Sequence, residues 1–253
     1  MVAEPTTAIV EAQDVYKFHG QGPERVPVLA KISFRVEPGE FVCIMGPSGS
    51  GKSTLLHLLS GLDQPSAGTV QLAGQDLARL SERRRTLQRR EQVGYVFQFF
   101  NLMPNLTVRE NIALPVSIAG HGVDAAARTR VMGLAERLGL ESRLDALPHQ
   151  LSGGEMQRTS IARALMSKQP LLLCDEPTGN LSQKAGAEVM EILRNCCDQD
   201  GRSVLLVTHN PRDAAFADRV LFLVDGELAE DAELKGSSLS VGDIHEVLGK
   251  LSI

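Results

Sequence analysis

The sequence has no apolar run approaching the about 20 residues needed to cross a bilayer as a helix, so any work at a membrane would leave the crossing to another chain. Its first residues, MVAEPTTAIVEA, lack the charged-then-apolar build of a secretory signal, and no export is expected. Positive charge is not in excess: 26 Lys and Arg face 31 Asp and Glu, for a net charge of −5. That balance excludes a general nucleic-acid binder, although it leaves room for a local basic patch. Cysteine is scarce. Cys43, Cys174, Cys196 and Cys197 have no metal-ligand spacing, and two of them fall in predicted core strands, so free thiols in a reducing compartment are expected. Sustained heptads are missing as well, which excludes long coiled-coil arms. What remains is an ordinary globular composition, 43% hydrophobic and 23% charged over 253 residues, sized for one α/β domain with a subdomain.

Against these absences stands GPSGSGKST, Gly46 to Thr54, which is the full phosphate-loop spacing. FVCIM before it reads as a buried strand and TLLHLL after it as a helix, the context such a loop needs. Gly46, Pro47, Ser48, Gly49, Ser50 and Gly51 would let consecutive backbone N–H groups converge on one anion, helped by the positive end of the helix dipole. Lys52 would reach the β- and γ-phosphates of a nucleotide, Ser53 would offer a hydroxyl to Mg²⁺, and Thr54 completes the loop.

Around this loop the chain reads as an N-terminal β region, with strands in AIVEAQDVYKF and KISFRV flanking the polar loop GQGPERVP. TVQLA is a further strand, and SERRRTLQRRE reads as a solvated, basic helix face. VGYVF ends at Gln98, which could coordinate metal or orient a water. The apolar Phe99, Phe100, Leu102 and Met103 after it fit either satellite core or a docking surface for a partner helix. Helical periodicity from Asp124 to Gly139 opens an all-helical insertion. It leads to LSGGEMQR, Leu151 to Arg158, where Ser152, Gly153 and Gly154 begin another helix and offer a second anion-binding end. LLLC is a buried strand with Asp175 and Glu176 at its carboxyl end, one suited to Mg²⁺ and the other to activating water. A helix from Ser182 follows. SVLLVT then leads to His209, which either caps the next helix or senses a γ-phosphate. RVLFLVDGELAE reads as a closing hairpin and VGDIHEVLGKLSI as a C-terminal helix.

Taken together, these motifs resemble the ATP-binding subunits of ABC transporters, in the family's order and up to about residue 230; LSGGEMQR is the discriminating piece. IMGPSGSGKSTLLHLLSGLD, YVFQFFNLMPNLTVRENIALP and DEPTGNL are most similar to subunits of lipoprotein-release and macrolide-export systems. The resemblance implies an α/β P-loop NTPase fold with a RecA-like core, an N-terminal antiparallel β region and an inserted α-helical subdomain. Residues 8–98 and 165–230 would form the nucleotide core, about 99–164 the helical subdomain, and 231–253 a C-terminal extension. It implies ATP and Mg²⁺ as ligands, with Gly46 to Thr54 on the phosphates and Ser53, Asp175 and Gln98 at the metal. Glu176 would be the general base and His209 the γ-phosphate contact. A second copy would close Ser152 to Gln157 over the nucleotide, transmembrane permease subunits would be separate chains, and the protein would sit on the cytoplasmic face of the membrane. The same motifs would serve an ATPase driving a non-transport signalling complex for cell division or cell-wall hydrolysis. Three positions depart from the family pattern: Ser182 replaces an aspartate, Asn210 follows His209 where aspartate is common, and His19, near Tyr16 and Phe18, stands where an aromatic stacks on adenine.

Overall fold

The computed structural model describes residues 7–20, 25–120, 122–229, 231–236 and 239–253. Residues 1–6 of the expected loose start and 21–24 of the expected polar loop lie outside them. Two sheets organise the chain. The first is four-stranded and antiparallel, in the order β2 (Val26–Val36), β1 (Val10–His19), β4 (Ala67–Leu72), β5 (Gln75–Asp76). The second runs β10 (Glu227–Leu228), β9 (Arg219–Val224), β3 (Phe41–Met45), β8 (Ser203–Thr208), β7 (Leu171–Asp175), β6 (Val93–Val96), with β11 (Leu234–Lys235) also on β9. From β9 to β6 its pairings are parallel.

The apolar runs of the parallel strands follow from burial on both faces. Along β3, Phe41, Cys43 and Met45 enter one core and Val42 and Ile44 the other; Leu172 and Cys174 of β7 part from Leu171 and Leu173 in the same way. One core is closed by α1 (Lys52–Leu59) and the antiparallel sheet. The other is closed by α3 (Val108–Ile118), α4 (Ala125–Arg137), α5 (Gly153–Leu165), α6 (Gln183–Asp198), α7 (Pro211–Ala214) and α8 (Val241–Leu251). The four cysteines are free and buried, and burial pushes the Cys196 and Cys197 thiols up to about 11.

Most of the α-helices begin where a side chain caps them. Asp124, Ser152, Ser182 and Ser240 each accept from an N–H in the first turn of the helix they precede. Asp225 and Gly226, at φ 48° and 83°, turn β9 back into β10. The basic run forms α2 (Glu82–Gln92), which buries none of its side chains fully. Besides the two-residue strands β5 and β11, two elements differ from the expectation. β2 starts at Val26, inside the stretch read as polar loop, because pairing of Val26 with His19 extends the ladder. α3 is a helix not anticipated in the sequence: Thr107 and Glu110 form a capping box that starts it, and Val108, Ile112 and Ala113 bury it despite Pro115 inside. No described helix is long and apolar enough to cross a membrane.

Candidate nucleotide site

The parallel sheet delivers its chemistry at one edge, beyond the carboxyl ends of β3, β7, β8 and β6, where open α/β sheets place ligands. The phosphate loop fills the first position. Its glycines are demanded by local packing at two places: a Cβ on Gly46 would lie 2.1 Å from the Leu223 carbonyl oxygen, and Gly51, at φ 101°, would press within 2.9 Å of Val28 O. Val28 and Leu29 of β2 thus brace the loop from the antiparallel sheet. Ser50 Oγ is buried without a hydrogen-bond partner among the described residues, a cost that a phosphate oxygen would relieve.

Lys52 is 4% exposed, and its ammonium donates to the carbonyls of Gly46 at 2.9 Å and Pro47 at 2.8 Å. Glu176 Oε1 lies 3.8 Å from Nζ. Burial holds the Lys52 ammonium below the ordinary lysine range, against the opposing pull of Glu176 and Asp175. Ser53 Oγ donates to Asp175 Oδ1 at 3.0 Å, joining the start of α1 to the end of β7. Burial raises the Asp175 carboxyl, Ser53 offsets this by its hydrogen bond, and neighbouring Glu176 raises it further. A hydroxyl and a carboxylate at this distance are hard oxygen donors, and no group of three or more His, Cys, Asp or Glu among the described residues could hold a metal by itself. This donor set fits Mg²⁺, which keeps several waters and takes one or two protein oxygens plus phosphate.

Glu176 adopts φ 42°, an uncommon left-handed conformation for a residue with a side chain. Its amide donates to Val207 O at 3.0 Å, and its Oε2 sits 3.0 Å from His209 Nδ1. Gln98 arrives from β6: a Cβ on Gly179 would be 3.2 Å from Gln98 Nε2 and 3.6 Å from Glu176 Oε2, so both side chains converge over that glycine. Asn180 Nδ2 donates to Gln98 O at 3.0 Å. Lys52, Ser53, Asp175, Glu176, His209 and Gln98 therefore meet in one place.

The residues expected from the LSGGEMQR segment lie elsewhere. Ser152, Gly153 and Gly154 start α5 at a cleft shared with Asn180, Ser182 and Lys184, and no hydrogen bond among the described residues joins them to the phosphate loop. Gln157, expected with them over the nucleotide of a second copy, is buried within α5. It is 0% exposed and turned inward, with Nε2 donating weakly to Phe97 O at 3.4 Å. Helical geometry explains this. Two residues advance the chain by about 200° around a helix axis, so Gln157 faces away from Glu155, the residue that shares the first turn with Ser152 and caps it.

His19 ends β1 exposed, beside Asp63, while the Tyr16 and Phe18 rings stack on each other at 6.4 Å. Leu102 packs on the core, whereas Phe99 and Met103 are exposed, so only part of the apolar stretch after Gln98 is satellite core.

Three features carried no sequence signal because they depend on tertiary packing. Arg163 of α5 donates to Phe100 O and Asn101 O, which holds the loop after Gln98, where both residues have positive φ. Buried Asp213 accepts from Thr178 and Thr208. Tyr95 lies buried with its hydroxyl unpartnered among the described residues, and burial pushes its acidity away from the physiological range.

The ABC transporter family model matches residues 29–179, more than half the chain. A macrolide export ATP-binding/permease protein of Marinobacter nauticus is 45% identical over 237 residues, 93% of this chain and 36% of that one. The lipoprotein-releasing system ATP-binding protein LolD of a Shewanella strain is 44% identical over 225 residues, 89% of this chain and 97% of that one. The chain spans about a third of the length of the macrolide-export relatives it matches. Among solved structures, the ATP-binding cassette MJ0796, described as dimeric and bound to ADP and Pi after hydrolysis, superposes with a TM-score of 0.82 at 38% identity, covering 89% of this chain and 98% of that one.

Proposed function

The chain belongs to the ABC transporter family, and from that premise we propose that it binds and hydrolyses ATP to power a separate membrane subunit in lipoprotein release or export. The observation that carries this is the meeting of Lys52, Ser53, Asp175, Glu176 and His209 at one sheet edge, with Glu176 Oε2 3.0 Å from His209 Nδ1. The loop's N–H groups and the α1 dipole bind the phosphates, and Lys52 exchanges its two carbonyl partners for phosphate oxygens. Ser53, Asp175 and Gln98 would hold Mg²⁺, which supplies charge neutralisation at the phosphates. Glu176 accepts the proton of the attacking water, and His209 positions that carboxylate and contacts the γ-phosphate.

Ser152, Gly153 and Gly154 complete the site of a second copy. Gly154 supports this reading from within one chain: it is helical, and a Cβ there would meet only ordinary contacts at 3.4 Å, so nothing in its own chain requires glycine. A backbone approached by a nucleotide on another chain would require it. The division of the chain into a nucleotide core, a helical subdomain over about 99–164 and an extension from 231 follows the same reading. The membrane subunit docks over exposed Phe99, Met103 and Ile118, beside a groove lined by Arg89, Arg90, Leu114 and Pro115. On this reading the protein works at the cytoplasmic face of a membrane. ATP turnover by the purified chain tests the assignment: Glu176→Gln should cut kcat by roughly 10²–10⁴ while ATP still binds. An unchanged rate would remove Glu176 as the base.

A further inference from the structure

Resting on the reading that Glu176 and His209 act on ATP, we propose that Asp213 is a positioning residue that latches Thr178 to Thr208 and so couples the Asn180–Ser182 loop to His209. Asp213 is 4% exposed, on short α7, just beyond the site. Its Oδ2 accepts from Thr178 Oγ1 and, at 3.4 Å, from Thr208 Oγ1. Each threonine borders a functional loop. Thr178 stands two residues after Glu176, and Leu181 N donates to its carbonyl at 2.9 Å, while Ser182 begins the helix beyond. Thr208 immediately precedes His209, and its carbonyl accepts from Gly46 N at 3.4 Å, at the root of the phosphate loop.

A purely architectural reading explains this acid poorly. Asn210 already caps α7, accepting from Arg212 N, so the helix does not need Asp213 for its start. A buried carboxylate is costly unless its partners recover the desolvation, and here burial raises its pKa while the Thr178, Thr208 and Asn210 hydrogen bonds and the charge of His209 oppose the rise. An apolar side chain would fill the same space without that cost. What the acid adds is a directional tie between two loops that meet at Glu176: the turn after it, whose left-handed backbone has to be held, and the segment carrying His209. A second copy that displaces Leu181 and Ser182 would pull on Thr178, and through Asp213 would shift His209 relative to Glu176.

The test is steady-state hydrolysis and equilibrium ATP binding by the full chain carrying Thr178→Val, Asp213→Ala, both together, or Asp213→Asn. Misplacing a catalytic group costs up to about 10²-fold in rate, so T178V and D213A should each lower kcat by about 10-fold or more while KM stays within about 3-fold. The double variant should be no slower than the slower single one. D213N, whose amide oxygen still accepts from threonine, should recover most of the rate. Losses that multiply in the double variant, or a folded D213N as slow as D213A, would overturn the latch; T178V and D213N decide the matter if D213A does not fold. Unaffected variants of an active wild type refute the latch alone, whereas an inactive wild type refutes the ATPase reading and the latch together.

Discussion

At the scale of single residues, the two glycines most easily taken as equivalent have opposite reasons to exist. Gly46 is required by its own chain, because a Cβ would meet the Leu223 carbonyl at 2.1 Å and neither backbone can give way. Gly46→Ala should therefore cost at least the ~1–3 kcal/mol of an overpacked core, read as a lowered urea midpoint. Gly154 is free of such contacts, and alanine is the better helix former by up to about 1 kcal/mol. Gly154→Ala should leave the urea midpoint level or raised while slowing hydrolysis; a variant with unchanged turnover would remove the contact assigned to this position. Residues of this kind are legible in the sequence where the proposed function rests on fixed spacing along the chain, as from Gly46 to Thr54 and in the pair Asp175 and Glu176. The inward turn of Gln157 is not legible in the motif, because its neighbours in sequence are not its neighbours around a helix. Asp213 is illegible, since its partners Thr178 and Thr208 come from other loops.

At the scale of elements, α5 shows how a helix start is fixed by its cap. Ser152 accepts from Glu155 N, and Glu155 accepts in return from the Ser152 amide and hydroxyl at 2.8 Å while pairing with Arg143 at 2.7 Å. These bonds, led by the Ser152 amide, hold the Glu155 carboxyl down to about 2 against an ordinary value of 4.5. A depressed acid stabilises the fold when ionised, so this contribution is full above pH 4.5 and is lost as pH falls toward about 2. Ser152→Ala should cost about 1 kcal/mol of stability at neutral pH and flatten the acid limb of a stability-against-pH curve between those values. An acid limb unchanged from wild type would mean that the cap is not what holds Glu155. Caps are readable here because serine and an acid three residues on have a local cause. α3 has the same signal in Thr107 and Glu110, but Pro115 obscures its length, and burial of Val108, Ile112 and Ala113 against the core helps hold it helical.

At the scale of the whole molecule, the alternation of buried residues along β3, β7 and β8 makes the sheet a partition between two cores, and so fixes all their carboxyl ends along one line. That is why fold and site are largely predictable together: continuous apolar strands imply helices or sheets on both faces, and motifs at strand ends then fall side by side. The bracing of Gly51 by Val28 and the hold of Arg163 on the loop after Gln98 depend on long-range packing, and no local pattern announces them. One asymmetry remains at this scale. The phosphate loop and Glu176 lie together, while the Ser152 end of α5 opens onto a different cleft beside Asn180 and Ser182, so one chain holds two halves that it does not join. The direct measurement is ATP hydrolysis per chain across a dilution series, with sedimentation reporting the fraction of dimer in the same samples. The proposed shared site predicts a rate per chain that rises with concentration in step with the dimer fraction and then levels off. A rate per chain that stays constant down to concentrations where only monomer sediments would contradict it.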